Sequence, residues 1–209
     1  MRFTAIDFET ANGFIGSICA VGIAVVECDR VVSKKYRLIK PHVYCRWFDP
    51  LNVTIHGIDG DMVSDADEFD EVYGKEILPL IGDSVIAAHN ASFDMSALRH
   101  ALDLYGIGYP ELSYVCTYKA ALRTWEGLEN YKLDTVSRFL NFRFRHHNAL
   151  EDAMASANVL RAVMRDRGEA EFDGLMGSLG MRAGRLFPGG YLPCSIGKQH
   201  CGAKDPGKR

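Results

Sequence analysis

Residues 84–90 read Ser-Val-Ile-Ala-Ala-His-Asn, a nearly continuous apolar run. A strand of that composition has no face it can give to water, so it belongs at the centre of a sheet covered on both sides. Its neighbours supply the cover. Residues 69–82 carry Phe69, Val72, Tyr73, Ile77, Leu80 and Ile81 at helical spacing, with Pro79 placed to bend or end the helix. A second helix runs from about Ser92 to Tyr105 and is stopped by Gly106 and Gly108. Upstream, residues 3–9, 17–27 and 31–40 read as strands of an antiparallel meander, with the tight link at 28–30. Residues 41–65 read as irregular. Downstream come a short strand at 112–117, helices at about 118–126 and 133–142, and a long amphipathic helix at 149–168 ended by Gly168. Strands followed by strand–helix units give an α/β class with a mixed sheet. The division expected is one domain over 1–168 and a Gly-rich C-terminal tail, 169–209, of unknown role.

No apolar run approaches the roughly 18 residues of a membrane span. The start, MRFTAIDFET, enters strand-like sequence at once, so no signal peptide and a cytoplasmic location are expected. The formal net charge of −3 does not advertise a nucleic-acid binder, but such binding needs only a local basic surface. Lys119, Arg123, Lys132, Arg138, Arg143 and Arg145 are candidates for one; a solvated face is the alternative. Six cysteines are scattered without a Cys-x-x-Cys. Cys19, Cys28, Cys45 and Cys116 are expected to behave as small apolar residues. In the tail, Cys194, His200 and Cys201 are close enough to raise the question of a zinc site, though four well-spaced ligands are usual.

Asp7 and Glu9 stand two apart on the first strand, so they share a face, while Ile6 and Phe8 point the other way. Adjacent carboxylates repel at neutral pH and become tolerable with a divalent cation between them; two surface acids on a solvated edge is the other reading. Asp94 follows the apolar strand and opens a helix. It is either a simple helix-dipole acid or a group at the carboxyl end of a central strand, where open α/β sheets bind ligands. In Arg145-His146-His147-Asn148-Ala149-Leu150-Glu151-Asp152, Asn148 is placed to cap the long helix, with Glu151 completing a capping box. Asp152 then lies just past the first turn and His147 on the loop before it. Four acids and a histidine at converging element ends suggest metal-assisted hydrolysis of a phosphodiester, with hard oxygen ligands for Mg²⁺ and an imidazole able to take a proton.

DFET (7–10), HNASFD (89–94) and HNALED (147–152) resemble the three motifs of the DnaQ-like DEDDh 3′→5′ exonucleases. IHGI (55–58) and YKLDTV (131–136) are weaker matches, and the resemblance spans about residues 3–167. The pattern around FETAN and SICAVG resembles a subgroup of small bacterial exonucleases more than the classical proofreading subunit. The resemblance implies an RNase H-like fold, a mixed five-stranded β-sheet flanked by α-helices. It implies a metal-dependent enzyme that releases nucleoside 5′-monophosphates from single-stranded DNA or RNA 3′ ends, with two Mg²⁺ or Mn²⁺ ions. Asp7, Glu9, Asp94 and Asp152 take the acidic positions. The first ion would be held by Asp7, Glu9 and Asp152, the second chiefly by Asp7, with Asp94 acting through water. His147 takes the general-base position; His146, one residue out of register, is its neighbour. Thr10 would contact the terminal nucleotide. His56 and Ile58 would border its base, Ile58 as a wedge or as core. Phe14 and Phe93 could stack on bases, with core packing the favoured role for Phe93.

Other readings stay open. The chain could be an exoribonuclease trimming short or structured RNA, or a polymerase-associated binding accessory. A polymerase or a second copy could be its partner. RLFPGG (185–190) has the Leu-Phe of clamp-binding peptides but lacks their Gln.

Overall fold

The structure, a computed structural model, describes residues 1–82 and 84–197. The chain opens with β1 (Arg2–Thr10), β2 (Ile18–Glu27) and β3 (Arg30–Leu38), then α1 (Pro50–His56). A single irregular helical stretch follows: α2 (Phe69–Val72), a π-helical turn (Tyr73–Ile77) and α3 (Leu78–Ile81). Next come β4 (Val85–Ala88), α4 (Ser92–Leu104), β5 (Leu112–Cys116), α5 (Thr117–Thr124), α6 (Leu133–Phe139) and α7 (Ala149–Arg167). The chain continues into α8 (Phe172–Leu179), β6 (Met181–Arg182), β7 (Gly184–Phe187), β8 (Gly190–Leu192) and β9 (Ser195–Ile196).

The main sheet has the order β3-β2-β1-β4-β5-β7-β8. β1, β4 and β5 run parallel at its centre, and the outer pairs are antiparallel. The apolar run at 84–90 therefore sits where its composition requires, with Ile86, Ala87 and Ala88 buried between β1 and β5. The sheet is wider than the five strands expected. β7 and β8 come from beyond residue 169 and pair onto β5, so the described part of the Gly-rich segment extends the sheet. RLFPGG becomes β7 and its turn into β8. Leu186 is buried opposite Leu112, so this segment offers no free clamp-binding peptide.

Three local expectations change. Residues 50–56 form a helix instead of irregular chain: Asp49 caps it by accepting the Leu51 N–H at 2.8 Å, Pro50 opens it, and Gly57 at φ +77° closes it. The helix at 69–82 contains a π-turn just ahead of Pro79, which absorbs the imide that an α-helix interior would not accept. Cys28 is exposed in the β2–β3 turn, where it and Asp29 adopt φ of +47° and +61°, while Cys19, Cys45 and Cys116 are buried.

The two faces of β1 are covered differently. On one, the Thr4 hydroxyl donates to the Leu80 carbonyl of α3 at 2.8 Å. On the other, α7 lies across β1 and β2. Gly22 of β2 pairs with Asp7 and lies directly beneath the start of α7. A Cβ there would overlap the backbone of Ala149 and Leu150. The missing side chain is what lets the helix settle onto the strand beside Asp7. Among the described residues no helix is long and apolar enough to cross a membrane.

Candidate active site

Asp7 and Glu9 project from the α7 face of β1, opposite Gly22 and Ala20. The β1–β2 ladder slips between Glu9 and Thr10, so the strand leaves its regular register just after the acidic pair. Asp152 arrives from above in the first turn of α7. Asn148 caps that helix by accepting the Glu151 N–H at 3.2 Å. Glu151 does not close the expected capping box, because its carboxylate accepts the Arg145 N–H instead, at 2.5 Å. Carboxylate oxygens of Asp7, Glu9 and Asp152 lie within 4.8 Å of one another.

Asp94 enters from below. β4 pairs with β1 only as far as Ala5 and ends at Ala88, which leaves the Phe8 N–H without a strand partner. Asp94, in the first turn of α4, accepts that N–H at 3.1 Å and is buried. Burial raises its pKa to about 8, with the backbone donors opposing the rise. Burial, then the charges of Asp94, Asp152 and Glu9, pushes Asp7 well above the usual carboxylate range. Glu9 rises to about 7, chiefly from burial and then from Asp152, with His146 opposing. These acids cannot all ionise cheaply unless a positive charge joins them. A compact set of hard oxygen donors around one point fits a divalent cation such as Mg²⁺ or Mn²⁺.

The histidine pair divides its work in a way the motif does not reveal. His147 sits at φ +63°, and its backbone N–H donates to Asp152 Oδ2 at 2.7 Å. His146 Nδ1 meets Asp152 Oδ1 at 2.9 Å. Their rings stack with centroids 4.0 Å apart and planes 14° apart. The Asp152 hydrogen bond raises the His146 pKa; burial and the charge of His146 lower that of His147.

The remaining sequence candidates separate. The Thr10 side chain is buried, and its carbonyl accepts from Asn52 Nδ2 at 2.7 Å and contacts His56 Nε2 at 3.1 Å. His56 Nδ1 accepts the Ile58 N–H at 3.0 Å, so the ring is a strut between α1 and β1. Ile58 is 4% exposed, packed with Ala11, Ala20 and Ala149, and cannot act as a wedge; the exposed large apolar side chain at that end of α1 is Ile55. Phe93 is 37% exposed on the cleft wall, not in the core. Phe14 is exposed but sits edge-on to His100, outside the cleft lining. The basic cluster also splits. Lys119 and Arg123 donate to the carbonyls of Cys194 and Leu179 and so anchor the C-terminal segment, and Arg138 pairs with Asp134. Cys194 is buried, and His200 and Cys201 lie outside the described residues.

The acids and both histidines line a cleft of about 510 Å³. Sequence reasoning missed His89, Asn90, Tyr118 and Leu133 in its wall. His89 stood in view as the first residue of HNASFD. It bridges Thr117 Oγ1 and the Tyr131 carbonyl, both at 2.9 Å, and burial holds its pKa near 4. The neutral ring pins the end of β4 to α5 and to the loop before α6.

The chain is similar to known exonucleases in sequence and in fold. The exonuclease family RNase_T matches residues 4–160. The PolC-type DNA polymerase III of Thermotoga maritima is 33% identical over 161 residues, covering 75% of this chain but 11% of the polymerase. That of Listeria monocytogenes is 33% identical over 172 residues, covering 80% of the chain and 12% of the polymerase. Among solved structures, exonuclease X in complex with 5′-overhanging duplex DNA superposes with a TM-score of 0.69 at 25% identity, over 85% of this chain and 99% of that one. The nuclease domain of 3′hExo, a DEDDh family member bound to rAMP, shares the fold with a TM-score of 0.69 at 18% identity, over 79% and 92%.

Proposed function

The chain belongs to the RNase_T exonuclease family, and from that membership we propose that it is a metal-dependent enzyme releasing nucleoside 5′-monophosphates from single-stranded DNA or RNA 3′ ends. The observation that carries this reading is the convergence of Asp7, Glu9 and Asp152 within 4.8 Å, above the buried Asp94 and beside two histidines. Asp7, Glu9 and Asp152 would hold one divalent cation, and Asp7 would share in a second. Such ions supply charge neutralisation at the phosphate and at the attacking and leaving oxygens. Asp94 holds the β1 backbone at Phe8 and so fixes the strand that presents Asp7 and Glu9. His147, with a pKa below the ordinary histidine value, is neutral at physiological pH and able to accept the proton of the attacking water. Phe93 and the Thr10–His56 strut would border the terminal nucleotide.

The test is a gel of 5′-labelled single-stranded DNA and RNA incubated with Mg²⁺ or Mn²⁺ and with an EDTA control. A descending ladder that EDTA abolishes is the expected result, and the faster ladder names the preferred sugar. No cleavage of either strand with either metal would overturn the proposal.

The PolC-type relatives support a second reading, association with a replicative polymerase, since in them the matching segment is a small part of a polymerase chain. Co-purification with a polymerase subunit would test it.

A further inference from the structure

The cleft wall on the β5 side carries groups that the chemistry at the acids does not use. Tyr118, the second residue of α5, lines the cleft with 36% of its surface exposed. Its ring is held edge-on between two others, His89 at 5.8 Å and Tyr131 at 6.3 Å between centroids. Both neighbours are committed elsewhere. His89 uses both ring nitrogens, and the Tyr131 hydroxyl donates to the Trp125 carbonyl at 2.7 Å. Tyr118 is the most exposed of the three rings, the other two being partly buried, and its neighbours fix its plane in advance. Lys132 follows Tyr131 directly, and its N–H donates to Asn130 Oδ1 at 3.0 Å, which shapes the loop. Lys132 also lines the cleft. It stands in a cleft with four carboxylates, yet among the described residues it forms no ion pair. An aromatic surface held rigid beside an uncommitted ammonium is the combination that binds a single nucleic-acid strand: the ring stacks on a base of any identity and the cation meets a phosphate.

The topology says which nucleotide this is. β1, β4 and β5 are neighbours in that order. α1 is tied to Thr10 at the end of β1, Tyr118 follows the end of β5, and His89 and Asn90 lie between. The two flanks therefore stand on opposite sides of the acid cluster. A strand with its terminal nucleotide at the Thr10 flank and its scissile phosphate at the acids must continue across the β5 flank. Resting on the exonuclease reading above, we infer that Tyr118 and Lys132 form a second nucleotide subsite. In it the Tyr118 ring stacks on the base preceding the terminal one, and the Lys132 ammonium takes the adjoining phosphate.

Two readouts test this. The first is fluorescence anisotropy of a 5′-fluorescein-labelled thymidine octamer in EDTA, which needs no cleavage. Tyr118→Ala should weaken binding roughly ten-fold or more, as loss of one base–aromatic stack does. Tyr118→Phe should retain binding, which separates stacking from folding. Lys132→Gln should lower the slope of log K against log salt by about 0.7, one phosphate contact on a single strand. The second readout is turnover in Mg²⁺ of the octamer against the p-nitrophenyl ester of thymidine 5′-monophosphate, which has no second nucleotide. Tyr118→Ala and Lys132→Gln should lose far more on the octamer than on the ester. Wild-type binding of the octamer by both variants, or equal proportional losses on octamer and ester, would overturn the subsite. A wild-type protein that binds the octamer but hydrolyses neither thymidine substrate nor a uridine octamer would instead refute the exonuclease reading, and the anisotropy alone would then decide the subsite.

Discussion

Replacing Glu9 by Gln should stabilise the metal-free protein at pH 8 while abolishing nuclease activity. The Glu9 carboxyl is raised from its ordinary 4.5 to about 7 by burial and by Asp152. A raised carboxyl pKa means that the folded state binds the proton more tightly than the unfolded chain. Between pH 4.5 and 7 the folded state then holds more protons, and stability falls as pH rises through that window. The full effect, reached above pH 7, corresponds to about 3 kcal/mol; partial exposure to water reduces it to about 2 kcal/mol. Among the described residues the Glu9 side chain makes no hydrogen bond or ion pair that Gln would forfeit. For a chain of this size, about 2 kcal/mol is a rise of about 4–8 °C in Tm. Thermal melts by circular dichroism in EDTA at pH 4.5 and pH 8 measure it: the variant should match wild type at pH 4.5 and exceed it at pH 8. A variant no more stable than wild type at pH 8 would refute the claim that mutual repulsion and burial strain this cluster.

Millimolar Mg²⁺ should raise the wild-type Tm at pH 8 by several degrees and do little for Glu9→Gln, since a cation bound only to the native state stabilises it by mass action, about 2.7 kcal/mol at a hundred times Kd; equal shifts in both proteins would count against an ion between the acids. His147→Ala should lower kcat on single-stranded DNA about 10²- to 10⁴-fold, the range for a lost acid–base group. His146→Ala, which loses a contact to Asp152 but not the proton acceptor, should cost less, and equal losses in steady-state assays would contradict the assignment. Gly22→Ala should lower Tm by several degrees and impair cleavage together, because α7 must lift away from β2 and carry Asp152 with it; overpacking of this kind costs about 1–3 kcal/mol, and a melt and activity equal to wild type would refute the close approach.

Much of the site was legible because its residues sit at positions that local rules locate. Two acids at strand spacing must share a face, Asn148 marks the start of α7, and the apolar run before Asp94 identifies a central strand. The misses come from side chains whose roles depend on what packs over them. Ile58 and Phe93 exchanged their expected places, since nothing local distinguishes an Ile that faces Ala149 from one that faces solvent. Lys119 and Arg123 looked like part of one basic surface, yet they bond carbonyls of a segment dozens of residues away. The strands after residue 180 went unread because they are two to four residues long: β7 and β8 pair only when β5 offers an edge, and β6 and β9 pair only with each other.

The sequence by itself determined the α/β class, the central strand, and the chemical type of the site: carboxylate oxygens with an imidazole nearby. Those follow from periodicity and residue chemistry, which act over a few residues. Only the tertiary structure decided that Asp152 meets Asp7 and Glu9 within 4.8 Å, since that distance depends on Gly22 leaving room for α7. It alone decided that His146 and His147 hold the two oxygens of Asp152 by different groups. It also singled out Tyr118 and Lys132 from the aromatic and basic residues around them, by committing their neighbours to other bonds. Burial, and the competition for partners that burial creates, is a property of the packed chain, and no local pattern encodes it.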